Sequence, residues 1–296
     1  MSAAHSSVYL IDGSSYIFRA FFALPPLTNS SGLPTQAVYG FTNMTLKFLK
    51  DFRPEYMAVL LDAGRETFRN QIFQDYKGNR PEAPADLIPQ FPYIRKVLEA
   101  MNVAVLELEG FEADDLIATL AKYFSSHGTE VVVVSGDKDL MQLVGEKVKL
   151  LDTAKERWIG IEEVKKKFGV EPEKVVEVMG LMGDSIDNIP GVKGIGEKTA
   201  IALIQRYQSL ENLFDHLDEL EKTGLKGAGR IRRALMEGKD KAFLSRDLAT
   251  VRSDVPIHME LEQLHFKGSH KEKLRELFTE LEFTLLLKGL DAESLK

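Results

Sequence analysis

Phe111-Glu112-Ala113-Asp114-Asp115-Leu116-Ile117-Ala118-Thr119-Leu120-Ala121, followed shortly by Glu130-Val131-Val132-Val133-Val134-Ser135-Gly136-Asp137-Lys138-Asp139-Leu140, decides the fold. Three carboxylates open an apolar-periodic helix, a run of valines follows, and two more carboxylates stand where the run ends. A short, continuous β-branched run bounded in this way reads as a strand buried on both faces. In open α/β sheets ligands collect outside the carboxyl ends of the strands. That rule puts Asp137 and Asp139 at a functional rim, with Glu112, Asp114 and Asp115 as candidates to face them. Carboxylates so crowded repel by several kcal/mol at an effective dielectric of about 20. They call for a positive partner, and a divalent cation is the first candidate.

Outward from this stretch the same device recurs. Val8 to Ile11 reads as a buried strand ending in Asp12, with a helix through Tyr16 to Phe22 behind it, and Met57 to Leu61 is a strand ending in Asp62. Leu24 to Pro34 is a loop by its Pro, Gly and Asn content, and Ala37 to Phe52 has helical periodicity. Residues 64–89 are polar, basic in places and broken by prolines, so they form either a helical insertion or a partly ordered surface segment. Ile94 to Met101 reads as a helix, Val103 to Leu106 as a strand, the residues from Asp139 as a helix, and Val148 to Leu151 as a strand. The alternation predicts a mainly parallel sheet with helices on both faces. Beyond about residue 160 helices take over: Ile161 to Phe168, Pro172 to Leu181, Thr199 to Arg206, Leu210 to His216, Gly229 to Met236, Lys239 to Ala249 and Lys271 to Leu281. Val251 to Met259 is expected to return as an edge strand. The domain change is placed at residue 175, giving a core over 1–175 and a helical module over 176–296.

A chain of 296 residues with 44% hydrophobic and 28% charged side chains is an ordinary globular sequence of about two domains. No apolar run approaches the roughly 18 residues of a membrane span, and Met1 to Gly13 lacks the basic n-region and long apolar run of a secretion signal. With no cysteine, disulfides and thiolate metal sites are excluded, which fits a reducing cytoplasm.

Asp184 and Asp187, spaced so that both face one way from a helical turn, complete a set of nine with Asp12, Asp62, Glu112, Asp114, Asp115, Asp137 and Asp139. All are oxygen donors, a set that selects Mg²⁺ or Mn²⁺ over zinc. Two such ions clamp the attacking and leaving oxygens of a phosphodiester, so metal-assisted phosphoryl hydrolysis is the natural chemistry. An aspartate at a strand end also serves as a helix N-cap; recurrence at three strand ends, with the Glu-x-Asp-Asp cluster, favours metal. The net charge of −7 argues by itself against a polyanionic partner, but with those nine set aside the rest of the chain is slightly positive. Lys222 to Arg246 is the most basic part, including Arg230, Arg232 and Arg233, and is suited to phosphates.

Asn188 to Ala200, with Gly191, Lys193, Gly194, Gly196, Lys198 and Thr199, fails both the P-loop and the G-x-G-x-x-G spacings. What remains is a tight glycine turn between two helices, the second presenting its free N–H groups, which grips a nucleic-acid backbone without reading bases.

The motifs Val8-Tyr9-Leu10-Ile11-Asp12-Gly13, Leu60-Leu61-Asp62-Ala63-Gly64, Tyr76-Lys77-Gly78-Asn79-Arg80-Pro81, Phe111 to Leu120, Ser135 to Val144 and Leu181 to Ala200 together resemble the 5′-nuclease domains of bacterial DNA polymerases I, in the flap endonuclease family. The match runs in order over nearly the whole chain. It implies a PIN-like α/β nuclease core, a helical arch at about 64–90, and a helix–three-turn–helix module around the glycine hairpin. It also implies two Mg²⁺ (or Mn²⁺) ions in the nine-carboxylate site, hydrolysis of 5′ flaps, nicks and 5′ ends of DNA and RNA primers, and a K⁺ ion at the hairpin. By motif position Lys77 and Arg80 approach the scissile phosphate, and Tyr76 and Tyr16 are candidates to stack on a displaced base. The implied setting is bacterial, cytoplasmic and monomeric, in DNA replication and repair, on branched or nicked duplex DNA. The chain would be either a domain excised from a longer polymerase or a freestanding nuclease. Rival readings are a noncatalytic branched-DNA binding module and an RNA-directed PIN-type ribonuclease.

Overall fold

The structure is a computed structural model that describes residues 7–292. Residues 1–6, read above for a secretion signal, and residues 293–296 of the expected second module lie outside the described residues. In chain order the elements are β1 (Val8–Asp12), α1 (Gly13–Ala23), α2 (Gln36–Phe52), β2 (Tyr56–Leu60), α3 (Phe68–Ile72), α4 (Phe91–Ala100), β3 (Ala104–Leu106), α5 (Ala113–Ser126), β4 (Val131–Val134), β5 (Val148–Asp152), β6 (Arg157–Ile159), α6 (Ile161–Phe168), α7 (Val175–Met182), α8 (Glu197–Tyr207), α9 (Leu210–Asp215), α10 (Ala228–Ala249), α11 (Lys271–Glu280) and α12 (Thr284–Ala292).

They fall into two compact units that a single cut near residue 175 does not separate. One comprises Met1–Ala63, Glu82–Ser135 and Ser253–Lys296; the other comprises Gly64–Pro81 and Gly136–Arg252. In the first, β1 pairs in parallel with both β2 and β4, and β2 with β3, giving the order β3-β2-β1-β4. Ile11 lies opposite both Val59 and Val134, so β1 is central. Its apolar side chains and all four valines of β4 are buried, which is why these strands read as unbroken apolar runs instead of alternating ones. Helix α5 packs on β1, β2 and β4, and α2 packs on α1 and α4. Among the described residues no helix is long and apolar enough to cross a membrane.

Val251 to Met259 does not form the expected edge strand. Pro256 has no N–H to give a ladder, and the Val255 N–H goes to Thr119 Oγ1 at 3.2 Å. The chain instead meets the sheet through an isolated bridge between Tyr56 and His265.

In the second unit β5 and β6 form an antiparallel pair, and α10 packs on α7 and α9. The two helices expected over 229–249 are one 22-residue helix, α10. Gly238 does not break it: a Cβ there would sit 2.8 Å from Val192 Cγ1, so the glycine is there to let the hairpin approach. Residues 64–90 hold the five-residue α3, turns over 74–79 and 85–87, and a short 3-10 turn at Ile88–Gln90. Gly78, Pro81 and Pro84 shorten helix formation where an arch was expected. The residues from Asp139 likewise form a 3-10 turn, Asp139–Leu143.

Candidate active site

The nine carboxylates divide between the units, five in the first and four in the second. In the first unit Asp12 ends β1 and caps α1, its Oδ1 accepting from the Ser15 N–H at 2.9 Å and its Oδ2 from Ser135 Oγ at 2.8 Å. Asp62, just past β2, accepts from the Ala113 N–H at 2.8 Å and so ties the strand end to the first turn of α5. Asp115 accepts from the Glu112 N–H at 3.1 Å, closing the N-terminus of α5. Asp115 is fully buried and Glu112 and Asp12 nearly so. Burial of carboxylates is costly unless they are hydrogen-bonded or paired, and the α5 N-terminus offsets part of that cost through its N–H groups and dipole.

In the second unit Asp137 Oδ1 accepts from the Asp139 N–H at 2.8 Å. Lys138 stands between Asp139, at 2.8 Å, and Asp184, with which it forms a close ion pair. Burial, with the Asp137 charge next in effect, pushes the Asp139 carboxyl up to about 6 despite the lysine. Burial also acts against charge on Asp184, yet the Lys138 ammonium and the Ile186 N–H at 2.7 Å hold its carboxyl below the usual range. For Lys138 burial opposes the charge and the two carboxylates outweigh it, so its value is raised.

The turn over residues 75–80 is bonded to the turn over 184–188. The Lys77 N–H donates to the Asp187 carbonyl at 2.9 Å, Asn79 Nδ2 to the Ser185 carbonyl at 2.7 Å, and Asn188 Nδ2 to the Asp75 carbonyl at 2.6 Å. Arg80 pairs closely with Asp187, and Lys77 Nζ lies 3.8 Å from it. Both cations named from the sequence are thus fixed beside one carboxylate of the same set. Tyr76 is not available for stacking on a base: it is 4% exposed, its ring packed against Lys77 at 5.2 Å and Arg69 at 5.8 Å. Tyr16 is also buried, edge-on to Phe41. An aromatic beside two cations is as well suited to packing under them as to facing a ligand.

The hairpin follows directly. Gly191 has φ +58° and a Cβ on it would lie 2.5 Å from the Gly183 nitrogen, a position only glycine fills. Its N–H donates to Ser245 Oγ of α10 at 2.8 Å. Val192 and Ile195 are buried as anchors, leaving Lys193, Gly194, Gly196 and Lys198 exposed and Thr199 half-buried at the start of α8. Nothing lies within 4 Å of where a Cβ would stand on Gly194 or Gly196, so another backbone has room to approach. Lys193, Arg230, Arg233 and Lys241 line a groove of about 430 Å³, with Glu237 as its acidic member. Arg232 lies outside that lining, paired with Asp218.

Among the described residues, no group of three or more His, Asp or Glu side chains is disposed to hold a metal ion. In the second unit cations of the chain itself stand beside the acids instead. The donor chemistry fits a hard divalent cation: every member is a carboxylate, and Asp139 and Asp184 already draw a positive charge between them. Sequence reading missed Lys138, Ser135 and the buried Arg69. A lysine between two aspartates in Asp137-Lys138-Asp139 was the available signal for the first; the other two leave no pattern of their own.

A family model for the N-terminal resolvase-like domain of 5'-3' exonucleases matches residues 7–169, and one for their C-terminal SAM fold matches residues 170–272. The chain is 44% identical over 289 residues to DNA polymerase I of Bacillus subtilis, covering 96% of this chain and 32% of that protein. It is 41% identical over 285 residues to a 5'-3' exonuclease of Aquifex aeolicus, covering 96% of this chain and 95% of that protein. It therefore spans about a third of the length of the polymerase relative. A solved bacteriophage T5 flap endonuclease, in a pseudo-enzyme–product complex with DNA and metal ions, matches with a TM-score of 0.65 at 21% identity, covering 97% of this chain and all of that one. That likeness shows a shared PIN-like, mainly parallel fold with a helical C-terminal part. With both family models matched end to end, the chain belongs to the 5'-3' exonuclease family, in agreement with the resemblance carried by its motifs.

Proposed function

We propose that this chain is a structure-selective 5′ nuclease, hydrolysing phosphodiesters at 5′ flaps, nicks and 5′ ends of DNA and of RNA primers during replication and repair. The observation that carries the reading is the second unit's run from Asp184 to Thr199. It begins in carboxylates, receives Lys77 and Arg80 at Asp187, and continues without a break into the hairpin and its basic groove.

Two Mg²⁺ or Mn²⁺ ions would be held by Asp12, Asp62, Glu112, Asp114, Asp115, Asp137, Asp139, Asp184 and Asp187, and would supply Lewis-acid stabilisation of phosphoryl charge. Lys77 and Arg80 stabilise charge on phosphoryl oxygens that the ions do not reach. The exposed backbone of Gly194 to Lys198 and the cations of the groove hold duplex phosphates without reading bases, and backbone carbonyls of the hairpin would take a K⁺ ion. The duplex partner, the polymerase domain of a longer parent chain and monomeric action in the cytoplasm belong to the same proposal.

Cleavage of a 5′-flap duplex in Mg²⁺, with DNA and RNA 5′ strands side by side, tests it. Asp115→Asn and Asp139→Asn are expected to abolish cleavage and retain duplex binding. Binding of the flap by the unchanged protein without cleavage would instead make the chain a noncatalytic branched-DNA module.

A further inference from the structure

We propose that Lys138 is a positioning residue, an internal counter-ion that holds Asp139 and Asp184 in place in the metal-free protein and gives them up when a divalent cation arrives. The inference rests on the reading of these carboxylates as metal ligands.

The two acids come from different segments, Asp139 from the turn after β4 and Asp184 from the turn after α7. One ammonium spans both, at 2.8 Å from Asp139 Oδ1 and in close contact with Asp184 Oδ2. The acid side chains are 14% and 6% exposed, and that of Lys138 is 27% exposed. Carboxylates so enclosed are unfavourable without a compensating charge, and the lysine provides one while keeping a flexible four-carbon stem by which it can leave. The ammonium and a divalent cation would compete for the same oxygens. Lysine, in contrast to arginine, offers a point charge and no planar fork, so it neutralises the pair without locking it.

The competition has a consequence that a mere structural prop does not share. Replacing Lys138 by methionine keeps the stem and removes the charge, so the metal-free protein should become less stable while divalent affinity rises, by about tenfold. Lys138→Arg should keep the stability and bind divalent cations no more tightly than the unchanged protein. Mn²⁺ titrations by calorimetry, paired with thermal melts with and without Mn²⁺, are made on the full chain at about pH 8, where Asp139 is ionised. The expected result is tighter Mn²⁺ binding and a larger Mn²⁺-induced rise in Tm for Lys138→Met. Equal or weaker Mn²⁺ binding by a folded Lys138→Met overturns the inference alone. Absence of any Mn²⁺ binding by the unchanged protein overturns the metal reading and the inference with it. Should Lys138→Met melt too low to titrate, Lys138→Gln is used with the same expectations.

Discussion

Among the described residues Arg69 is the largest fully buried side chain, 2% exposed, and its removal tests how the second unit is held together. Its Nε donates to the Leu248 carbonyl and its Nη2 to the Thr250 carbonyl, each at 2.9 Å. Leu248 lies in the last turn of α10, where carbonyls have no intrahelical N–H to accept from, so the guanidinium serves as a side-chain cap at the end where a helix favours positive charge. The guanidinium also lies 4.6 Å from the Phe68 ring. Arg69→Met retains the apolar stem, forfeits two charge-assisted hydrogen bonds worth about 1.5–3 kcal/mol each, and leaves buried carbonyls unsatisfied. Relief from burying a charge offsets part of this, so the expected loss is about 3–5 kcal/mol, a large share of a typical 5–15 kcal/mol total. Arg69→Lys, with one compact ammonium for two carbonyls, should lose roughly half as much. Urea denaturation of the full chain followed by circular dichroism measures both. A loss below about 1 kcal/mol for the methionine variant, or a lysine variant as stable as the parent, would refute the cap.

Gly191→Ala meets positive φ and backbone at 2.5 Å, whereas Gly238→Ala meets only the Val192 side chain at 2.8 Å; thermal melts should show the former losing upwards of about 3 kcal/mol and the latter about 1–2. The folded-state value of Asp139 lies above that of a free aspartate, so its ionisation opposes folding as pH rises from about 4 through about 6. Asp139→Asn should therefore stabilise the metal-free protein by on the order of 1–3 kcal/mol at neutral pH, with the advantage gone by about pH 4, as read by melts across that range. Reversing Lys193, Arg233 and Lys241 to Glu should weaken duplex binding uniformly across sequences and flatten its slope against log salt by about 3, measured by fluorescence anisotropy. Unchanged salt dependence would remove the groove from the interface.

Legibility followed the size of the physical signal. β1, β2 and β4 were plain because strands buried on both faces leave unbroken apolar runs, and each hands its chain to an aspartate. The helices α6 and α9 were equally plain from their periodicity and the Gly or Ser beside them. β6 was missed because three residues, two of them exposed, carry no pattern. Gly238 was misread as a break because its reason, the approach of Val192, is tertiary. Tyr76 was misassigned for a related cause: its motif places it beside Lys77, but which side of the turn faces inward is decided by Arg69. The acids were found by type and position. The cations that attend them at Asp139, Asp184 and Asp187 were found only in part, since Lys77 and Arg80 came from a motif and Lys138 from nothing but geometry.

The bonds between the turn at 75–80 and the turn at 184–188 have a consequence for synthesis and for dissection. The segment Gly64–Pro81 belongs to the same compact unit as Gly136–Arg252, so during translation it emerges long before its partners exist. The contacts that hold it are distant in sequence, so the unit closes only after the Asp184 turn and the end of α10 have been made. Cutting the chain between the two family-model matches, at 169/170, would strand that segment on the wrong fragment. The C-terminal piece would keep its hairpin and groove but lose Lys77, Arg80 and the guanidinium that finishes α10.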